Sequence, residues 1–165
     1  MSFPVEILGI YLSPGHDFRG RHGSPRRENP VSSVTRAECV AGQGVRGDRY
    51  FGFKENYKGQ ITFFDQAVHA AVQSHFDVLP EHSAYRRNVI LSGFDLNELV
   101  GKRFALGETQ FTGIEECSPC YWMDQAVTPG TEEFLKGRGG LRARIVKDGI
   151  LKVGSMELIL LDPMP

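Results

Sequence analysis

The sequence predicts a mostly β protein, a barrel or rolled sheet with one clear α-helix and a few short ones. Three observations carry this. Short runs rich in β-branched and aromatic residues recur along the chain. Glycines punctuate the runs. One stretch alone shows sustained helical spacing.

Taken in order, "VEILGIYL" at 5–12 reads as a strand. Residues 13–30, "SPGHDFRGRHGSPRRENP", hold three Gly, four Arg, two His and three Pro and read as a long loop. Such loops are often functional, and a solvated connection is the plain alternative. Strand signal returns at 31–40, "VSSVTRAECV", followed by the glycine-punctuated "AGQGVRGDRYFG". "QITFF" leads to Asp65, a good N-cap for "QAVHAAVQSHF", where Val68, Val72 and Phe76 repeat at helical spacing. Strand-like pieces follow: "RNVILS", "KRFALG" and "TQFTGIEE". A short helix is expected over 131–136, "TEEFLK". The closing run, "LRARIVKDGILKVGSMELILL", carries Asp148-Gly149 between two β-prone segments, which predicts a hairpin there.

The 165 residues suit a single domain, 1–165, with a real core. Hydrophobic content of 41% and charged content of 24% match an ordinary globular chain. A net charge of −1 gives no global pull toward nucleic acid or an anionic membrane, and neither is expected as a partner. No apolar run is long enough to span a bilayer. The start, "MSFPVEILGIYLSP", lacks the basic lead of a signal peptide. Three cysteines, few and odd in number, argue against a secreted disulfide framework and for a reducing cytoplasm. Neither a G-x-x-x-x-G-K-[ST] loop nor a strand–helix G-x-G-x-x-G is present.

The segment "EECSPCYWMD", 115–124, sets Cys117 and Cys120 three apart. Four readings compete. A structural zinc needs four ligands, and no second paired spacing accompanies this one. Thiol–disulfide exchange usually places C-x-x-C at the start of a helix, whereas the surroundings here read as β. Burial as small apolar residues suits Cys39 and is fair for Cys117. It suits Cys120 less, with Glu115, Glu116 and Asp124 nearby. The fourth reading is a soft thiolate ligand to a transition metal whose other ligands come from a cofactor.

Three further segments offer groups for an anion. In "GVRGDRY", 44–50, Asp48 follows a glycine turn and could orient a ligand or an arginine; a turn with a local Asx bond is the plainer reading. In "YRRNV", 85–89, alternation along a strand would turn one of Arg86 and Arg87 inward, where a guanidinium fork suits phosphate. Asn88 both donates and accepts, as a heterocycle edge requires, although a solvated strand start is the rival. In "GRGGLRARIV", 137–146, Gly139-Gly140 is a nest-capable turn, and Arg142 and Arg144 share the strand face opposite Leu141, Ala143 and Ile145. A phosphorylated organic cofactor carrying a soft metal would use both the cations and a thiolate.

The series "GVRGDR", "RRNVILSGFDLNELVGKRFALGE", "EECSPCYWMD" and "GGLRARIVKDGILKVG" resembles the MOSC domain, the C-terminal domain of molybdenum-cofactor sulfurases, in its short stand-alone bacterial type. The likeness covers roughly residues 31–160. It implies a β fold around a closed barrel and binding of molybdenum cofactor, a pterin dithiolene with a phosphate. It also implies that Cys120, in "SPCY", is the molybdenum ligand, with Cys117 beside it in the chemistry. Asp48, Arg86, Arg87, Asn88, Arg142 and Arg144 fall where the cofactor cleft is expected, and Tyr121 and Trp122 are expected to wall it.

Relatives of this family reduce N–O bonds at molybdenum, so the resemblance implies an oxidoreductase acting on N-hydroxylated substrates. Glu115, Glu116 or Asp124 would supply protons. The alternatives it leaves are a sulfur carrier working through a persulfide and a non-catalytic cofactor carrier. These 165 residues include no pyridoxal-phosphate desulfurase domain, so that cofactor is not expected. They also lack the extra N-terminal barrel region and the C-terminal helical extension of some relatives. The missing cleft wall is expected from the 13–30 loop, through His16, His22, Arg26 and Arg27, or from a second copy in a homo-oligomer. With no flavin fingerprint or iron–sulfur cysteine set, a separate reductase or ferredoxin-type donor is implied.

Overall fold

Residues 1–15 and 29–161 are described by a computed structural model. The elements run β1 (Ser2–Leu12), β2 (Ser32–Val34), β3 (Arg36–Val40), β4 (Gly44–Val45), β5 (Ile61–Asp65), α1 (Gln66–Phe76), β6 (Val89–Ser92), β7 (Arg103–Leu106) and β8 (Thr109–Glu116). Then come α2 (Met123–Ala126), α3 (Thr131–Leu135), β9 (Leu141–Lys147), β10 (Gly149–Lys152) and β11 (Gly154–Leu160). Among the described residues, seven strands close a barrel in the order β1-β11-β7-β8-β9-β5-β6 and back to β1. The closing seam is antiparallel, from Ser2 opposite Ile159 to Ile7 opposite Gly154. One pair, β5–β6, is parallel. Helix α1 makes that crossover, because parallel neighbours need a long connection rather than a tight turn.

The barrel interior is apolar, built from residues such as Ile7, Ile61, Phe63, Leu91, Phe104, Phe111 and Leu158. Strand β9 shows why: Leu141, Ala143 and Ile145 are buried while Arg142 and Arg144 on the other face are not. Strands β5 and β6 depart from alternation, with Ile61 to Phe64 and Val89 to Leu91 all buried. Their outer face carries Phe64 and Ile90, which join Val72, Tyr85, Met123 and Leu135 in a second core beneath the helices. A sheet covered on both faces needs apolar residues at consecutive positions.

Asp65 caps α1 as expected, accepting from the Ala67 N–H at 2.9 Å. The expected short helix at 131–136 is α3. The hairpin expected at Asp148-Gly149 does not form. Strand β10 leaves the barrel and pairs with β3, from Gly149 opposite Cys39 to Lys152 opposite Arg36, in a separate sheet with β4. Tertiary contacts redirect the turn. The Asp148 carboxylate accepts from the Ala41 N–H at 2.6 Å, and Gly149 lies so close to β8 that a Cβ there would sit 2.1 Å from Thr109 Oγ1. Residues 86–88 also differ from expectation. They precede β6 rather than belong to it, and Arg86 has a left-handed backbone, φ 55°, closing the 3₁₀ turn His82–Tyr85. Strand alternation therefore does not separate the faces of Arg86 and Arg87.

Candidate functional site

A cavity of about 250 Å³ opens at one side of the barrel. Its wall draws on the β4–β5 connection, the turn before β6, the β8–α2 connection and β9. Arg49, Tyr50 and Tyr57 come from the first, Arg86 and Arg87 from the second, Cys117, Ser118, Cys120, Tyr121 and Trp122 from the third and Arg142 from the last. Four guanidinium groups line it and, among the described residues, no carboxylate does.

The cysteine segment is held by Arg87. This side chain is buried, and its guanidinium donates to the carbonyls of Gly139 and Cys117 at 3.0 Å, Tyr85 at 3.1 Å and Ser118 at 3.4 Å. A planar fork with several fixed donors is what can gather four carbonyls from three separate segments. The positive charge therefore stays beneath the cysteine segment, with oxygen dipoles around it. Gly139 and Gly140 serve the same packing. A Cβ on Gly139 would lie 2.4 Å from the Cys117 carbonyl oxygen, and one on Gly140 2.4 Å from that of Phe63. The Gly139 N–H donates to the Glu116 carboxylate at 2.9 Å, so the expected anion nest is already filled by the chain's own acid.

Arg142 is placed by the ladder. On β9 it stands opposite Thr62 of β5 and Glu115 of β8. It bonds the Glu115 carboxylate at 3.2 Å, which also takes Lys58 Nζ at 2.7 Å. The Lys58 bond, with Arg142 beside it, holds the Glu115 carboxyl below its ordinary range. Burial works against the Arg142 charge, while Cys117, Tyr57 and Glu115 act the other way and leave its pKa above the ordinary arginine value. Cys117 is 5% exposed and Cys120 is exposed. The Cys120 Sγ is turned back toward the Ser118 carbonyl at 3.9 Å.

Arg86 reaches across to the first loop. Its Nη2 donates to the Gly15 carbonyl at 2.6 Å and to Ser13 Oγ at 2.8 Å. Asp48 is buried behind the wall rather than on it. Its Oδ1 accepts from the Ser13 N–H at 3.1 Å and pairs with Arg49 at 3.3 Å. The carboxylate thus orients an arginine, one of the roles open to it. Asn88 is also buried off the wall, tying β5 to β1. Its Oδ1 accepts from the Thr62 N–H at 3.0 Å, and its Nδ2 donates to the Tyr11 carbonyl at 3.1 Å. Arg144 points to the Asn56 carbonyl at 3.2 Å and does not line the cavity.

So Cys117, Cys120, Arg86, Arg87 and Arg142 come together, while Asp48, Asn88 and Arg144 support them from outside. Tyr121 and Trp122 do line the cavity. Glu115, Glu116 and Asp124 do not; Asp124 accepts from the Glu132 N–H at 2.8 Å. His16, His22, Arg26 and Arg27 lie outside the described residues. Cys39 is buried in the barrel, where burial and Glu38 push its thiol up to about 12.

Sequence reasoning missed Arg49, Tyr50 and Tyr57. Arg49 was legible only as the partner of Asp48 in "GDR". The tyrosines share an aromatic cluster with Phe53, ring centroids 5.0–5.5 Å apart, that no spacing signals. Burial, above all, pushes the Tyr50 hydroxyl up to about 12.

Among the described residues no group of three His, Cys, Asp or Glu could hold a metal ion. A metal here would have Cys120 as its exposed thiol ligand and need the rest from elsewhere. The donor set fits a molybdenum cofactor in kind: a soft thiol, guanidinium groups for anionic oxygen and aromatic faces for a flat heterocycle. No helix among the described residues is long and apolar enough to cross a membrane.

The model of the MOSC domain matches residues 20–156. No curated protein matches the sequence. YuaD from Bacillus subtilis is similar in structure over 98% of this chain and 99% of its own, at 16% identity and a TM-score of 0.73. YiiM from Geobacillus stearothermophilus is similar over 96% of this chain and 75% of its own, at 13% identity and a TM-score of 0.68. YiiM from Escherichia coli covers 99% and 71% in the same sense, at 15% identity and a TM-score of 0.65. At such identities the likeness is one of fold.

Proposed function

The chain belongs to the MOSC domain family, and from that premise we propose that it binds molybdenum cofactor in the arginine-lined cavity, with Cys120 as metal ligand, and reduces N-hydroxylated substrates. One observation carries the reading: an exposed thiol opens on a cavity lined by four arginines and, among the described residues, by no carboxylate. Such a wall selects an anion and leaves the thiol as the soft donor.

When bound, the cofactor supplies two-electron oxygen-atom transfer. The chain's residues do the rest. Arg49, Arg86 and Arg142 face the anionic end of the ligand. Arg87 holds the backbone on which Cys120 rides, so the thiol is positioned before the ligand arrives. Tyr121 and Trp122 offer ring faces to a flat group. Tyr50 stays protonated across the working range and keeps an O–H donor on the wall. Electrons come from a separate donor protein.

The test is metal and pterin analysis of protein co-expressed with an active cofactor pathway, beside Cys120→Ala. Near-stoichiometric molybdenum and pterin in the wild type, lost in the variant, is the expected result. Screening hydroxylamines and amidoximes with a reductant follows. No molybdenum in either protein overturns the reading. Sulfur transfer then takes its place, since Cys117 shares the cavity and a persulfide on either cysteine is detectable by mass.

A further inference from the structure

Cys117 has no task in the reading above, yet it is held with care. Its N–H donates to the Gly140 carbonyl at 2.8 Å, its own carbonyl is taken by Arg87, and it lines the same cavity as Arg142. Both Cys117 and Cys120 are free thiols on one cavity of about 250 Å³. The exposed Cys120 Sγ lies 3.9 Å from the Ser118 carbonyl oxygen, on the cysteine segment itself. The remaining cysteine, Cys39, is fully buried in the barrel core and takes no part.

We propose that Cys120 and Cys117 are the attacking and resolving thiols of a reversible intramolecular disulfide formed with hydroperoxides. In the first step the exposed Cys120 sulfur attacks the distal peroxide oxygen. The O–O bond breaks, Cys120 becomes a sulfenic acid, and the thiol proton leaves with the other oxygen as water or an alcohol. In the second step the Cys117 sulfur attacks the Cys120 sulfur. An S–S bond forms, the S–O bond breaks, and hydroxide departs with the Cys117 proton as water. Two thiols are oxidised by two electrons and one peroxide is reduced. The sequence stops at the disulfide when Cys117, on the same cavity, attacks before a further peroxide arrives.

The bond is a switch rather than a staple. It closes a loop with only two residues between the cysteines, so it removes little chain entropy from the unfolded state, and small dithiols reduce it. Its consequence for the site rests on the proposed function: a Cys120 sulfur joined to Cys117 cannot ligate a metal.

The experiment uses the full chain without cofactor, so it stands apart from the cofactor question. Wild type, Cys117→Ser and Cys39→Ser are exposed to hydrogen peroxide, and intact mass and fragment mass are followed. Wild type and Cys39→Ser are expected to lose the mass of two hydrogens within the fragment holding both cysteines, and to regain it with dithiothreitol. Cys117→Ser is expected to lose that product entirely. It gains oxygen at Cys120 instead, trapped by dimedone while it is still a sulfenic acid. Sulfinic acid at Cys120 of the wild type with no linked fragment overturns the proposal, as does a linkage through Cys39 or between two chains. These outcomes are read from the wild type alone, so a poorly folding variant does not decide them.

Discussion

At the scale of single residues, Arg87 decides most about the site. Its sequence neighbour Arg86 looks the same on paper, yet one guanidinium gathers four carbonyls and the other reaches to Ser13 and Gly15. Arg87→Met should leave these carbonyls without a donor and cost about 2–4 kcal/mol, the range for losing several hydrogen bonds to a buried charged group. Arg87→Lys should recover only part of that, because an ammonium cannot reproduce the fork. Urea unfolding of the three proteins checks both statements; equal midpoints would remove the organising role. The cysteine motif, the arginines and the aromatic pair were all legible in the sequence. Which of them face one another was not, because an arginine's partners are set by the backbone that surrounds it.

At the scale of elements, β10 shows how packing overrides a local signal. Asp-Gly favours a tight hairpin, but here the carboxylate bonds Ala41 and the glycine admits β8 at close range. Gly149→Ala would drive its Cβ into Thr109, whose backbone N and Cα are also within 3.1 Å. The cost should be about 1–3 kcal/mol, as for other overpacked sites. A thermal melt reads it, and an unchanged Tm would show that β8 can yield.

The α1 contact with the turn before β6 carries a pH dependence. His69 Nδ1 lies 2.8 Å from the Tyr85 hydroxyl, and its ring is 4.4 Å from that of His82. Burial lowers both histidine pKa values, and for His69 the charge of His82 adds to it. The unfolded chain therefore binds a proton more readily than the fold does. Stability is complete above the ordinary histidine value, falls as pH drops from it toward the lowered value, and is flat below that. Urea midpoints between about pH 7 and about pH 5 should decline for this reason. The decline should shrink in His69→Gln. A parallel decline in that variant would assign it to other groups.

For the whole molecule, closure is the governing fact. The first and last strands pair along six register positions, so the ends of the described chain complete the ring. Opening that seam exposes the shared apolar interior, and the barrel should unfold as one cooperative unit. Native-state hydrogen exchange tests this. Amides of β1 and β11 that pair across the seam should exchange only with global unfolding, at the same free energy as those in β8 and β9. Distinctly faster exchange in β11 would mean that the seam opens by itself.

The sequence by itself determined the β character, the capped helix, the grouping of the arginines in short motifs and the thiol pair, because each depends on composition and spacing along a few residues. The MOSC resemblance was legible for the same reason, from four short motifs in series. Tertiary structure alone decided that β10 crosses to β3, that Asp48 and Asn88 work behind the wall, and that Tyr50 and Tyr57 join it. Those outcomes depend on which distant segments share a surface once the barrel closes. Pairing across more than a hundred residues is settled by total burial and hydrogen-bond satisfaction, not by any local preference.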